Sequence, residues 1–168
     1  MSGILSHSPA KVIRQLLIDA GILFAVTSGT ADNVDWTAFV NNHPDAPDNS
    51  VALYNTAAVT HGRTQVDGVT QKHYGIQTRV RAQDANTGYT KAREIYDAYE
   101  AVLRTAVEVD SVIYMVQAIN CSGDILDIGF DGSSKRRLFT INVRTDIRIL
   151  SSMASDFYDP DFNDEDFN

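Results

Sequence analysis

The chain has 168 residues, a formal charge of −8, 43% hydrophobic residues and a single cysteine, Cys121. This length suits one domain that buries roughly 70% of its unfolded surface without metal or disulfide, and one cysteine fits a reducing cytoplasm. The first residues, MSGILSHSPAKVIRQ, lack the head and core of a secretion signal, and no apolar run reaches the roughly 20 residues of a membrane span; a soluble protein with no membrane partner is expected.

Ser8-Pro9 reads as a helix start, with Ser8 as N-cap and Pro9 in the first helical position. Val12, Ile13, Leu16, Leu17 and Ala20 follow at helical spacing, and Gly21 stands where a glycine would end the helix. Residues 22–26 and 34–41 read as strands around the turn-rich SGTADN. Pro44 and Pro47 mark a loop, in which Asp48 and Asn49 would bond back to the nearby backbone. Residues 51–56 form a short apolar strand. Residues 57–72, with Gly62 and Gly68 and no helical period, read as a long hairpin loop; such length in a compact domain points to function or mobility.

From Tyr74 to Asp84 the chain alternates. Ile76, Thr78, Val80 and Ala82 face one way, and Gln77, Arg79, Arg81 and Gln83 the other. Asp84 to Thr87 supplies caps for a helix expected over 87–106, with a stripe of Ala92, Ile95, Tyr96, Tyr99, Val102, Leu103 and Ala106. Strands follow at 111–121, 125–130 and 138–150, separated by turns at Gly123-Asp124 and 131–134. On the last strand Phe139, Ile141, Val143, Thr145, Ile147 and Ile149 oppose Arg144, Asp146 and Arg148. The expectation is an α+β fold: a mixed, mostly antiparallel β-sheet, two helices packed on one face, a long β-hairpin loop and a disordered acidic C-terminal tail. Residues 1–151 would form the domain and 152–168 the tail.

The tail carries most of the charge. Residues 156–168 hold six acids and no base, which leaves −2 on residues 1–155. A nearly neutral body argues against general nucleic-acid binding, which needs many cationic contacts to phosphate. Phe157, Tyr158, Phe162 and Phe167 alternate with those acids. A purely solvating tail has no use for aromatics, so they are candidates for binding a partner.

Motifs for chemistry are missing. There is no G-x-S-x-G elbow, phosphate-binding loop or dinucleotide fingerprint. His7, His43, His61 and His73 lack the spacing of a helical metal site and read as exposed loop residues. His61 and His73 could meet across the hairpin, but no acid or cysteine joins them. Cys121 ends a strand with no sign of a lowered pKa, as an inert thiol would. Pro47-Asp48 could open a metal-dependent nuclease motif, yet the adjacent strand offers Gln77, Arg79 and Arg81, which cannot hold a divalent cation. No catalytic residue, metal or cofactor is expected. Arginines on one side of a strand can fork onto a neighbour's carboxylates, so Arg79, Arg81, Arg144 and Arg148, with Gln65 and Gln71 in the hairpin, are the subunit-interface candidates.

The order of these elements resembles the tail-terminator (tail-completion, minor capsid) proteins of long-tailed bacteriophages over residues 8–150. The resemblance is carried by the first amphipathic helix, Pro47-Asp48-Asn49 with Leu53-Tyr54-Asn55-Thr56, Gly75 to Arg81, the helix from Thr87, Gly129-Phe130-Asp131, and Arg137 to Asn142. Ala57-Ala58 stands where a glycine is expected, and the acidic aromatic tail lies outside the pattern. The resemblance implies a non-enzymatic virion protein of the tail or neck, assembled in the host cytoplasm. It implies a homo-oligomer, a six-fold ring that caps the tail tube protein, meets the head-completion or connector protein, and passes DNA through its lumen without specific binding. A head-completion or tail-tube subunit is the alternative within the virion; a small enzyme or binding module is the alternative outside it.

Overall fold

A computed structural model describes residues 5–26, 36–63, 70–132 and 135–150. The N-terminal helix α1, Pro9–Asp19, starts where Ser8 accepts the Lys11 amide and Pro9 occupies the first turn. It ends in a Schellman motif: the Gly21 amide bonds Ile18 O, the Ile22 amide bonds Leu17 O, and Gly21 takes φ +72°. Asn55, on the strand beneath the helix, accepts the Ala10 amide at 2.9 Å and satisfies a second helix-end donor.

Seven strands follow: β1 Thr37–Val40, β2 Ser50–Arg63, β3 Thr70–Ala82, β4 Leu103–Val109, β5 Val112–Cys121, β6 Leu126–Phe130 and β7 Arg137–Ile149. They form one sheet in the order β1-β2-β3-β7-β5-β4, with β6 paired to β7. Only the β1–β2 pair is parallel. The second helix, α2 Ala85–Glu100, is capped by Asp84, which accepts the Thr87 amide at 2.9 Å. Both helices bury their apolar stripes against the same face of the sheet, over Ile76, Val80, Phe139, Ile141 and Val143. Tyr99, fully buried, exchanges a 2.7 Å hydrogen bond with Thr78 beneath it. The expected α+β architecture is the one observed, with the sheet curled into a half-barrel.

Three expectations on the elements change. Helix α2 stops at Glu100, and 103–109 is a strand. The apolar stripe runs on past the helix end, but LRTAVEV also alternates, and it pairs with β5 through Asp110-Ser111, both at positive φ as a two-residue hairpin turn requires. The interval from 57 to 72 is largely ladder: β2 reaches Arg63 and β3 begins at Thr70, with register shifts after Thr56 and Thr60. Those irregularities break the alternation that would have marked a strand. Residues 22–26 contribute one bridge, Phe24 to Thr37, and no strand. The expected SGTADN turn, Gln65 and residues 152–168 lie outside the described residues.

Candidate assembly surfaces

Paired residues of neighbouring strands share a face, so the register defines the side of the sheet that the helices leave open. One row crosses it as Phe39, Ala52, Arg79, Thr140 and Leu126; the next as Tyr54, Gln77 and Asn142; a third as Thr56, Gly75, Arg144 and Asn120. Arg79 is half-buried; its Nε donates to Gln77 at 2.9 Å and its guanidinium lies 5.0 Å from the Tyr54 ring. Gln77 in turn donates to Asn142 at 3.2 Å. Arg144 is exposed and makes no ion pair among the described residues, and Arg148 is 52% exposed and pairs with Asp146 at 3.1 Å.

Arg81 departs from its expected role. Although it shares the polar side of β3 with Arg79, it is only 2% exposed. Its guanidinium donates to Pro44 O, to Pro47 O at 2.8 Å and to Asp131 at 3.3 Å. Arg136 reaches Asp131 at 3.2 Å, Asp48 at 3.3 Å and the Asp45 carbonyl. Asn49 accepts the Gln83 amide at 3.0 Å, and Asp48 accepts the Gln83 side chain at 2.9 Å. These contacts bind the proline loop, which contains a cis Ala46–Pro47 peptide, to the end of β3 and to the β6–β7 turn. Arg81 is an internal staple. No local signal in the sequence joins these groups: the fold brings Pro44, Pro47 and Asp131 to Arg81 from 37, 34 and 50 residues away. Gln71 lies in β3 near the tip of the ribbon; its side chain is not described.

His43 belongs to the same staple, half-buried and 2.9 Å from Ser50, and is not the exposed loop residue expected from sequence. Burial, followed by the Arg81 charge, lowers its pKa from 6.5 to about 4. The folded state therefore holds it neutral where the unfolded chain would bind a proton. Its contribution is complete above pH 6.5 and is lost as pH falls towards 4. After discounting for partial exposure, this amounts to about 1–2 kcal/mol. Urea unfolding of His43→Asn should show a flatter stability profile than the parent across that window; parallel profiles would mean that His43 titrates normally. His7 is also partly buried, between Tyr114 at 2.7 Å and Asp110 at 3.1 Å. His73 is half-buried opposite Val59 in the ribbon.

The apolar surface was not foreseen. On β6, Leu126, Ile128 and Phe130 are 52%, 48% and 58% exposed, and β6 pairs with nothing but β7 among the described residues. Arg137 covers one ring face of Phe130 at 4.4 Å and sits 3.5 Å from Asp127. On β4, Leu103 is 76% exposed. Beside it a shallow apolar groove of about 360 Å³ opens between α1, α2 and β4, lined by Leu16, Ala98, Val102 and Val107. The L-x-I-x-F alternation of β6 marks a strand in the sequence but carries no information on which neighbour covers it.

No chemistry emerges from the remaining groups. Burial, and then Glu100, push the Cys121 thiol up to about 12, far from a nucleophilic thiolate. Among the described residues no three His, Cys, Asp or Glu gather as a metal site, and no helix is long and apolar enough to cross a membrane. A curled sheet with both helices on one face, unpaired apolar edges and a projecting ribbon has the form of a structural subunit. The sequence profile described as bacteriophage tail terminator protein matches residues 17–149, and the chain belongs to that family. It is thus a structural protein of the phage tail, placed by its family among the tail components of the virion. No curated protein sequence matches the chain.

Proposed function

We propose that this protein assembles head-to-tail into a six-fold ring that caps the tail tube and joins it to the head connector, with DNA passing through the lumen. Residues 1–151 would be the ring-forming unit, and residues 152–168 an arm that uses Phe157, Tyr158, Phe162 and Phe167 to bind within the virion. The family supports the place in the tail. The ring is supported chiefly by two unlike apolar edges: the exposed Leu126, Ile128 and Phe130 of edge strand β6 and Leu103 beside the groove on β4. An uncovered apolar edge strand invites another chain, and a contact between unlike surfaces closes into a ring when the rotation allows. Arg79, Arg144 and Arg148 remain reachable on the open face as ion-pairing partners, whereas Arg81 is committed inside the protomer. The β2–β3 ribbon extends the reach of the subunit towards its neighbour, with Gln71 on its β3 strand and Gln65, in the sequence between its two strands, as candidates.

Light scattering on the purified protein, alone and with tail tubes, tests this. The expected species is a six-copy ring, alone or on the tube end. Ile128→Lys with Phe130→Glu should yield monomers that melt like the parent, since neither side chain belongs to the core. A parent protein that stays monomeric and leaves tubes uncapped would overturn the proposal.

A further inference from the structure

The open face of the sheet is cationic where β7 crosses it. Arg144 and Arg148 lie there with Arg79 on the adjoining strand, against Asp146 of the same strand and Glu108 of β4. Arg144 is exposed beside Gly75, which has no side chain to cover it, and makes no ion pair among the described residues. Apolar surface adjoins these cations: Ile113 is 45% and Leu150 44% exposed, and the Leu150 amide bonds Ile113 O. All the chain beyond Leu150 therefore departs from the edge of this cationic, partly apolar surface.

The sequence of that departing chain matches the surface in spacing as well as in sign. Residues 151–155 read SSMAS and carry no charge. Arg144 stands six residues back from Leu150, about 20 Å at strand rise, and a segment turning back from Leu150 draws level with it after about six residues. The first acid is Asp156, six residues beyond Leu150. Arg79 is opposite Thr140, ten residues back; Asp159 and Asp161 fall nine and eleven residues on. Fully extended, the last 18 residues span about 60 Å, more than the length of β7, so the whole face is within reach.

We propose that residues 151–168 are an intramolecular ligand of the open sheet face, with Asp156 on Arg144 and Asp159 and Asp161 at Arg79. The tail then covers the arginines in the unassembled protein and gives them up to a partner on assembly. This inference does not rest on the ring: it holds or fails in a monomer.

Limited digestion of the full-length protein with chymotrypsin, read by mass, tests it, with a free peptide of residues 151–168 digested alongside as the unprotected reference. At low salt, cleavage after Phe157 and Tyr158 should be about tenfold slower in the protein than in the peptide, because cleavage follows the population of the open form. Protection should fall in 1 M salt, where screening shortens to about 3 Å, and in Arg144→Gln, whose melting should match the parent because that side chain is exposed. It should persist on dilution. Cleavage as fast as in the peptide, protection indifferent to salt, or protection that vanishes on dilution would each overturn the proposal; the last would mean that a second copy holds the tail.

Discussion

Arg81→Met is expected to cost about 3–5 kcal/mol, the range for removing one partner from a buried charged network. For a chain of this size that is a fall in melting temperature of about 10 °C or more. The reason is geometric. Arg81 serves Pro44 O, Pro47 O and Asp131 at once, from a position 2% exposed to solvent. Methionine fills most of the volume and satisfies none of these acceptors. The buried Pro47 carbonyl and the partly buried Pro44 carbonyl then lose this donor, at about 1–3 kcal/mol for a buried group. Asp131 keeps Arg136, which limits the loss on that side. Arg81→Lys should rescue little, because one ammonium cannot reproduce a fork that addresses a loop on one side and a turn on the other. Calorimetry decides between the roles: a loss below about 1 kcal/mol would return Arg81 to the status of a surface arginine.

Arg81 also marks the limit of what the sequence could say. Alternation along β3 correctly separated Ile76, Thr78, Val80 and Ala82 from Gln77, Arg79 and Arg81, since the period of two is a local property of extended chain. It could not say that the polar side would be covered at one end by a loop closed through Asp131, fifty residues away. The same division runs through the molecule. Ser8, Pro9, Gly21 and Asp84 act where they stand, and α1 and the start of α2 were legible from them. The end of α2 was not, because Val102, Leu103 and Ala106 satisfy a helical stripe as well as they satisfy a strand, and only pairing with β5 decides. The ribbon beyond Thr56 was hidden by its bulges. For the surfaces the failure is one of context. Leu126, Ile128 and Phe130 look like core residues in any sequence, and that they are exposed becomes visible only once β6 is seen to pair with β7 alone among the described residues.

Gly88→Ala should destabilise the protein by about 1–3 kcal/mol, the cost of overpacking, although a Gly to Ala change within a helix otherwise gains up to about 1 kcal/mol. The two effects have opposite signs, and the contact distances decide between them. A Cβ on Gly88 would stand 2.5 Å from Phe139 Cε2 and 2.9 Å from the Ala82 Cβ. Phe139 is 3% exposed and lies edge-on to Tyr89 at 6.2 Å, so its ring has little room to retreat. Gly88 thereby sets how closely α2 approaches β3 and β7, the two strands whose other side carries Arg79 and Arg144. Phe139→Leu removes the opposing ring edge, and alone it should cost about 1–1.5 kcal/mol. Combined, the two substitutions should be less harmful than their sum by about 0.5–3 kcal/mol, the coupling expected for residues in contact. Chemical unfolding of the four proteins closes the cycle. Strict additivity would place the obstacle at Ala82 instead of Phe139, and a Gly88→Ala protein more stable than its parent would mean that the helix stands further off the sheet than these distances require.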